Sequence, residues 1–230
     1  MIIFELRIKK TENLNTLLPI RRKELLAIII LVIFYAVGFY GLIFSSYQAY
    51  FLSLVPFNLL LTNFILFFFH RAFSPSFWVF ALVVFSAGFL AEVLGIHTAL
   101  LFGHYTYGAA LGWQLFQVPV IIGLNWLMLV YTAGHTVNYF QRIPWVIKAV
   151  LGAVLMVALD YFIEPVAVHL DFWSWQGNKI PVSNFVGWFG VALLLQFYFQ
   201  KATFSKNNPI APFVFFLQFM FFGLLSWAIL

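Results

Sequence analysis

The sequence predicts an all-α, polytopic membrane protein with seven transmembrane helices. Composition, the spacing of the apolar runs and the placement of the basic residues support this prediction. Of the 230 residues, 64% are hydrophobic and only 8% are charged, whereas a soluble domain carries about 25% charged residues. Phe alone occurs 31 times, which suits a surface that faces lipid. The chain is therefore expected to be integral to a lipid bilayer, and its net charge of +5 is attributed to membrane topology rather than to a nucleic-acid partner.

Seven apolar runs approach the length of about 20 residues that a membrane span requires. The predicted spans are residues 24–42, 49–69, 76–96, 118–138, 145–163, 183–200 and 211–229. Pro56 lies inside the second span and predicts a kink there, and Pro165 is expected to end the fifth, because proline cannot donate the helical hydrogen bond. The predicted organisation is a cytoplasmic N-terminal tail, residues 1–23, and a single seven-helix domain, residues 24–230.

The basic residues fall almost entirely on one side of this arrangement. The tail and every second loop hold eleven of the twelve lysines and arginines, and only Lys179 falls in the opposite loops. Cytoplasmic loops carry an excess of Lys and Arg, so the N-terminus is predicted to be inside and the C-terminus outside. The expected location is the cytoplasmic (inner) membrane of a prokaryote, crossed several times.

Two stretches of the chain share one spacing pattern. The first aromatic of an aromatic-x-aromatic pair lies 13 residues after an acid in both, from Glu92 to Tyr105 and from Asp160 to Trp173. Five residues also separate a Pro-Val dipeptide from a tryptophan in both. Self-similarity of this kind predicts an internal parallel repeat of two helical hairpins, related by an axis along the membrane normal. The repeat units are residues 76–138 and 145–200.

Three acids in the spans are candidate catalytic residues, because an ionisable side chain inside a membrane is costly to place there. Glu92 and Asp160 lie about 16 and 15 residues into helices of the same direction, so they are expected to face each other at a similar depth near the outer surface. Glu164 follows Asp160 by four residues and shares its helix face. The alternatives are structural hydrogen bonds between the hairpins and, for Glu164, a solvated helix end.

Residues that accompany these acids are candidates for substrate binding. They are Tyr105, Tyr107, Asn125, Trp126, Trp173, Trp175, Asn184, Trp188 and His97. Aromatic faces can stabilise a passing cation, and the amides can orient a substrate or a water molecule. The alternatives are an interfacial aromatic belt and, for the asparagines, hydrogen bonds that hold helices together.

The motifs that the sequence lacks exclude several kinds of chemistry. Without cysteine, thiolate catalysis and iron–sulfur ligation are impossible. The sequence contains no HxxxH or HxxHH box, no glycine-rich nucleotide fingerprint and no DDxxD motif, and such motifs carry metal or phosphate chemistry. We therefore expect no metal and no cofactor, and predict acid–base chemistry in an apolar, aromatic pocket.

The motifs around the acids resemble those of the membrane-bound carotenoid biosynthesis protein family, which includes CruF-type carotenoid 1,2-hydratases. The first block matches at Glu92, Gly95, Phe102-Gly103-His104-Tyr105-Thr106-Tyr107, Leu111-Gly112, Val118-Pro119 and Trp126. The second block matches at Asp160, Glu164-Pro165, Trp173-Ser174-Trp175, Ile180-Pro181 and Asn184-Phe185-Val186-Gly187-Trp188. The chain departs from the expected pattern at Glu164, where Asp is expected, and at Ala99, where Gly is expected.

The resemblance implies hydration of the terminal C1–C2 double bond of an acyclic carotenoid, of the lycopene or γ-carotene type, with the polyene and water as substrates. A carboxylic acid would protonate C2, and water would capture the tertiary cation at C1. Asp160 is the predicted acid and Glu92 or Glu164 the partner that directs water, although these roles could be exchanged. Two alternatives stay open: a carotenoid cyclase or isomerase that shares the protonation step, and a non-enzymatic carotenoid-binding protein. The sequence does not indicate an oligomeric state.

Overall fold

The computed structural model describes residues 21–229, and within them the fold is almost entirely helical, as predicted. The helices are α1 (Arg22–Ile43), α2 (Gln48–Ser53), α3 (Val55–Phe68), α4 (Pro75–Thr98), α5 (Ile121–Asn138), α6 (Trp145–His169), α7 (Val182–Lys201) and α8 (Ala211–Ile229). The short strands are β1 (Tyr105–Tyr107), β2 (Gln114–Leu115), β3 (Val118–Pro119) and β4 (Trp173–Trp175). The predicted tail lies outside the described residues, apart from its last three.

Five of these helices are long and apolar enough to cross a membrane, namely α1, α4, α6, α7 and α8. They give the chain its multi-pass character. Of the two other predicted spans, the second is divided into two helices and the fourth is less apolar. The count of seven crossings therefore stays a prediction. Its orientation, its division into a tail and one domain, and the parallel repeat also stay predictions.

The second predicted span, 49–69, is divided into two helices. The six-residue α2 ends at Ser53 and the fourteen-residue α3 begins at Val55, with Pro56 in its first turn. Proline lacks the N–H that would continue a helix, whereas the first turn needs none. The kink predicted from Pro56 is confirmed as a complete break.

The central helix of the bundle is α5, which packs against α3, α4, α6, α7 and α8. It begins three residues later than predicted, because Val118–Pro119 forms strand β3. Its polar side chains bond to their own helix: the Thr132 hydroxyl donates to the Met128 carbonyl over 2.7 Å, and the His135 Nδ1 lies 2.8 Å from the Tyr131 carbonyl. Surrounded by protein rather than lipid, α5 tolerates a less apolar sequence.

The prediction that the fifth span ends before Pro165 is wrong. Helix α6 continues to His169 with Pro165 inside it. A proline removes one backbone hydrogen bond, and membrane helices tolerate this loss when neighbouring protein supports them. Here Val166 and Ala167 are fully buried, so packing holds the last turn in place.

Two helical hairpins form most of the bundle and are joined at one end by a small sheet. Helix α4 packs against α5, and α6 packs against α7. The loops that connect these pairs contribute β1 and β4, which pair antiparallel with Tyr105 opposite Trp175 and Tyr107 opposite Trp173. We call this end of the bundle the sheet end. The pairing brings the two aromatic-x-aromatic motifs of the sequence into direct contact.

Candidate active site

Glu92 forms the first carboxyl cluster, near the C-terminal end of α4. Its side chain is buried and accepts three hydrogen bonds. Both Tyr105 and Tyr107 donate their hydroxyls to Oε2, over 2.6 and 2.9 Å, and the Trp126 indole donates to Oε1 over 2.9 Å. Every donor is an aromatic side chain, so this carboxylate is fully hydrogen-bonded inside an otherwise apolar wall.

The chain reverses tightly after α4, and this turn places β1 over Glu92. Ala99 caps the helix in the left-handed conformation, with φ of 57°, and its N–H bonds to the Gly95 carbonyl. A Cβ at Gly95 would meet the Phe102 ring at 2.5 Å and the Tyr105 hydroxyl at 3.0 Å. The missing side chain of Gly95 therefore lets the loop fold down until Tyr105 reaches the acid.

Asp160 and Glu164 form the second cluster, one turn apart on α6. The Asn184 amide joins them, because its Nδ2 lies 3.0 Å from Asp160 Oδ2 and 2.9 Å from Glu164 Oε1. The indoles of Trp173 and Trp175 donate to Glu164 Oε2 over 3.1 and 2.7 Å. Glu164 thus accepts three hydrogen bonds, as Glu92 does. Asp160 is equally buried, but its Oδ1 has no hydrogen-bond partner within residues 21–229.

The sheet brings the two clusters side by side. The rings of Tyr105 and Trp175, which serve different acids, lie 5.0 Å apart between centroids, and those of Tyr107 and Trp173 lie 5.9 Å apart. Below the sheet, Trp188 stacks on Trp126 with centroids 4.2 Å apart and planes at 19°. The aromatic donors of the two clusters therefore pack directly against one another.

The electrostatics of the site depend on neutral donors. Within the described part of the chain no basic side chain pairs with these acids. The salt bridge found in that part lies outside the site and joins Arg71 and Glu24 at 3.4 Å. Burial, followed by the charge of Glu92, raises the pKa of Tyr105 and of Tyr107, and the charge of Glu164 raises both further. The two hydroxyls therefore stay protonated and remain donors across the physiological range.

Most of the predicted substrate-binding residues meet at this site. Most of these residues contact the acids directly, whereas the sequence predicted that they contact the substrate. Two predicted residues lie apart. Asn125 is half-buried and His97 is exposed, and in residues 21–229 neither shows a hydrogen bond to the clusters. Sequence reasoning missed that the aromatic pairs act as hydrogen-bond donors to the acids. The aromatic-x-aromatic spacing could have indicated this, because alternate residues of a strand point to the same face.

A cleft of about 310 Å³ adjoins the second cluster. Trp175, which donates to Glu164, also lines this cleft, together with Pro165 and Val168 of α6. Within residues 21–229 no group of three or more His, Asp or Glu side chains could hold a metal ion. The arrangement provides carboxyl groups, neutral donors and aromatic faces, which suit proton transfer to an apolar molecule.

Fold and site together define a multi-pass membrane protein whose apolar bundle holds paired carboxyl clusters roofed by aromatic residues. The chain belongs to the carotenoid biosynthesis protein family, because the model of that family matches residues 50–230. The resemblance found in the sequence motifs is thereby confirmed. The match begins inside α2, so α1 lies outside it.

One similar curated protein is the bisanhydrobacterioruberin hydratase of Haloarcula japonica. The two chains are 27% identical over 151 residues, which represent 58% of this chain and 49% of the relative. The chain therefore spans about half the length of this relative. No solved structure matches the chain significantly.

Proposed function

We propose that this protein is a carotenoid hydratase that adds water to the terminal C1–C2 double bond of an acyclic carotenoid end group. The observation that carries the proposal is the contrast on α6 between Asp160, which has one carboxyl oxygen without a partner within residues 21–229, and Glu164, which has three donors. Family membership supplies the substrate class, and a relative that is named a hydratase supports the reaction type.

Asp160 is the best-placed proton donor of the three acids. Its Oδ2 and the Glu164 Oε1 share one amide nitrogen, and two negative charges so close together in an apolar site are unfavourable. Three donors stabilise the charged form of a carboxylate more than one donor does, so Glu92 and Glu164 are better suited than Asp160 to carry the negative charge. The proton is then carried by Asp160, where Oδ1 is available to donate it.

The reaction balances without a further reagent. The Asp160 proton and the electron pair of the double bond form a new C–H bond at C2, which leaves a tertiary cation at C1. The oxygen of water bonds to C1, and the proton it loses passes to Glu164 or Glu92. Return of that proton to Asp160 restores the starting state. Nearby indole faces stabilise the cation by about 0.5–2 kcal/mol each, and we propose the cleft lined by Trp175 as the side from which water and the end group approach.

Co-expression in a host that makes lycopene or γ-carotene tests the proposal. The wild-type protein is expected to yield pigment heavier by one water, and Asp160→Asn to yield none while still accumulating in membranes. Asp171→Asn is a matched control, because Asp171 is an exposed acid in the loop that follows α6. Isomeric pigment of unchanged mass would identify a cyclase or isomerase, and unaltered pigment bound to the protein would identify a carotenoid-binding protein. Full hydration by Asp160→Asn would refute the assigned role.

A further inference from the structure

A second cavity lies on the other side of α6 from the acids. It has a volume of about 380 Å³ and is bounded by α1, the break between α2 and α3, α6 and α8. On α6 it is lined by Val166 and Leu170. Val166 follows Glu164 by two residues and so lies on nearly the opposite side of a helix with about 3.6 residues per turn. The helix therefore separates this cavity from the carboxyl clusters.

The cavity is a slot that runs along the helix axes. On α1 its lining extends from Phe34 to Leu42, which spans about 12 Å at a rise of about 1.5 Å per residue. On α8 it extends from Gln218 to Leu225, which spans about 10 Å. Both helices are long and apolar enough to cross a membrane, and membrane helices are tilted on average by only about 20° from the bilayer normal. The slot is therefore aligned with the acyl chains of the surrounding bilayer.

The slot opens sideways, between α1 and α3. Phe34 and Val37 of α1 line it and are 49% and 51% exposed, and Phe57 of α3 lines it and is 66% exposed. The opposite wall is buried and includes Leu170 beside α6 and Leu225 of α8. Apolar side chains exposed on the flank of a membrane-spanning helix face lipid, so hydrocarbon can enter the slot from the bilayer without crossing a polar surface.

The surface that the slot offers to an occupant is hydrocarbon. Among the described residues no charged side chain lines it. The Tyr35 hydroxyl lies 3.3 Å from Thr62 Oγ1, and the side-chain oxygens of Asn58 and Gln218 are enclosed by protein. A charged or strongly polar ligand would therefore lose its hydration without gaining partners. An empty apolar space forfeits dispersion contacts, and dry apolar cavities in proteins bind hydrocarbon guests.

We propose that this slot binds one acyl chain of a bilayer phospholipid, whose headgroup stays outside. A flexible chain of methylene groups can follow an apolar slot of this length and volume. An α-helix, about 10–12 Å across with its side chains, is too wide to enter, so a helix of a second copy of the protein could not fill the slot. The lining, direction and opening of the slot select this ligand, and the proposal does not depend on the hydration reaction.

An occupied slot should support the end of α6. Leu170 and Phe172 line the slot and belong to the segment that joins α6 to β4. Pro165 removes one backbone hydrogen bond from the last turns of this helix, so these turns depend on packing. The bound chain fills the space beside them, and its removal should lower the thermal unfolding midpoint.

Delipidation of the purified full-length protein in detergent, followed by lipid analysis, tests this site. The wild-type protein is expected to retain a phospholipid through washes that remove the surrounding lipid. A Cβ at Gly38, which lines the slot, would meet nothing within 4 Å, so Gly38→Leu fills the slot without a clash and should lose this phospholipid. Gly190→Leu is the matched control, because Gly190 of α7 is also free of neighbours but does not line the slot.

Chain length provides the second criterion. Dioleoyl phosphatidylglycerol added to the delipidated wild-type protein should raise the unfolding midpoint, whereas dihexanoyl phosphatidylglycerol, with the same headgroup and much shorter chains, should not. Equal retention of phospholipid by the wild-type protein and Gly38→Leu, or equal shifts from the two lipids, would overturn the proposal. Retention of a free fatty acid or a carotenoid in place of the phospholipid would also overturn it. Asp160→Asn should retain the phospholipid, so the carboxyl chemistry and the slot can fail independently.

Discussion

The two carboxyl clusters at the sheet end use similar donors but differ in one acid. Glu92 accepts from two tyrosines and a tryptophan, and Glu164 from two tryptophans and Asn184. One turn before Glu164 stands Asp160, whereas one turn before Glu92 stands Gly88, which lies against Trp126. By their contacts, Glu92 therefore corresponds to Glu164, although the 13-residue spacing pairs it with Asp160.

This difference indicates a division of labour. In the first cluster three neutral donors bond to the carboxylate. The position that a second acid would occupy is Gly88, where α4 and α5 are in close contact. In the second cluster the additional acid keeps one oxygen without a partner among the residues that the structure describes. Under the proposed function, the second cluster holds both the proton donor and a charged partner, so substitutions in the two clusters should have unequal effects.

The largest expected effect is the loss of hydration in Asp160→Asn. Removing a general acid reduces the rate by about 10²–10⁴-fold, and Glu92→Gln should reduce it less, because Glu92 has no oxygen left free of donors. The measurement is hydrated pigment formed per unit of membrane protein. A greater loss in Glu92→Gln than in Asp160→Asn would assign the proton to the first cluster instead.

Asn184→Leu should have the largest effect on stability. It removes one donor from each of two buried carboxyls, and a hydrogen bond to a charged group contributes about 1.5–3 kcal/mol. The thermal unfolding midpoint in detergent should fall accordingly. Asn125→Leu provides the comparison, since Asn125 shows no hydrogen bond in the described part of the chain and should change the midpoint little. Equal midpoints for the two variants would contradict the bridging role of Asn184.

Tyr105→Phe should destabilise the first cluster less, because Glu92 keeps two of its three donors. A loss of about 1.5 kcal/mol is expected for one hydrogen bond to a carboxylate. Tyr161→Phe is the matched control, because its ring lies exposed on α6. The same unfolding assay applies, and the prediction fails if both variants behave like the wild-type protein.

The buried tyrosines should also make the protein sensitive to alkali. The pKa of Tyr105 is raised in the folded protein, whereas an unfolded tyrosine loses its proton near pH 10. Ionisation then favours the unfolded state, so the free energy of unfolding is expected to fall as the pH rises above about 10. The double variant Tyr105→Phe/Tyr107→Phe should show a shallower decline, and a slope equal to that of the wild-type protein would refute this account.

The smallest predicted effect concerns the turns that end α4 and α6. Ala99 and Asp171 both have positive φ, 57° and 54°. Glycine adopts this region without strain, and Asp tolerates it better than Ala. Ala99→Gly should therefore stabilise the protein by up to about 1 kcal/mol and Asp171→Gly by less. Thermal unfolding of both variants measures the two gains in stability. A larger gain in Asp171→Gly than in Ala99→Gly would contradict the prediction.

Local sequence signals predicted a helix well where the helix depended on its own residues rather than on packing against others. Long apolar runs located the membrane helices, and Pro56 located the break after α2. Pro165 misled the prediction of where α6 ends, because the burial of Val166 and Ala167 depends on other helices. The late start of α5 has a similar origin, since Val118–Pro119 is held by pairing with β2.

The candidate site was predicted as a set of residues rather than as an arrangement. Acids within apolar helices and repeated aromatic pairs identified most of its members. Their hydrogen bonds depend on the pairing of β1 with β4, two strands about 70 residues apart in the sequence, and no local pattern specifies that contact. His97 was included because it is close to Glu92 in sequence, but five residues exceed one helical turn by more than a residue, and its side chain is exposed.

The pairing of β1 with β4 links the two halves of the site mechanically. Each strand carries donors for a different acid, so parting the strands would strain the contacts of Glu92 and Glu164 together. A ligand that inserted between the hairpins would therefore alter the hydrogen bonds of both acids at the same time. The four aromatic residues of these strands therefore both pack the two loops together and donate hydrogen bonds to the acids.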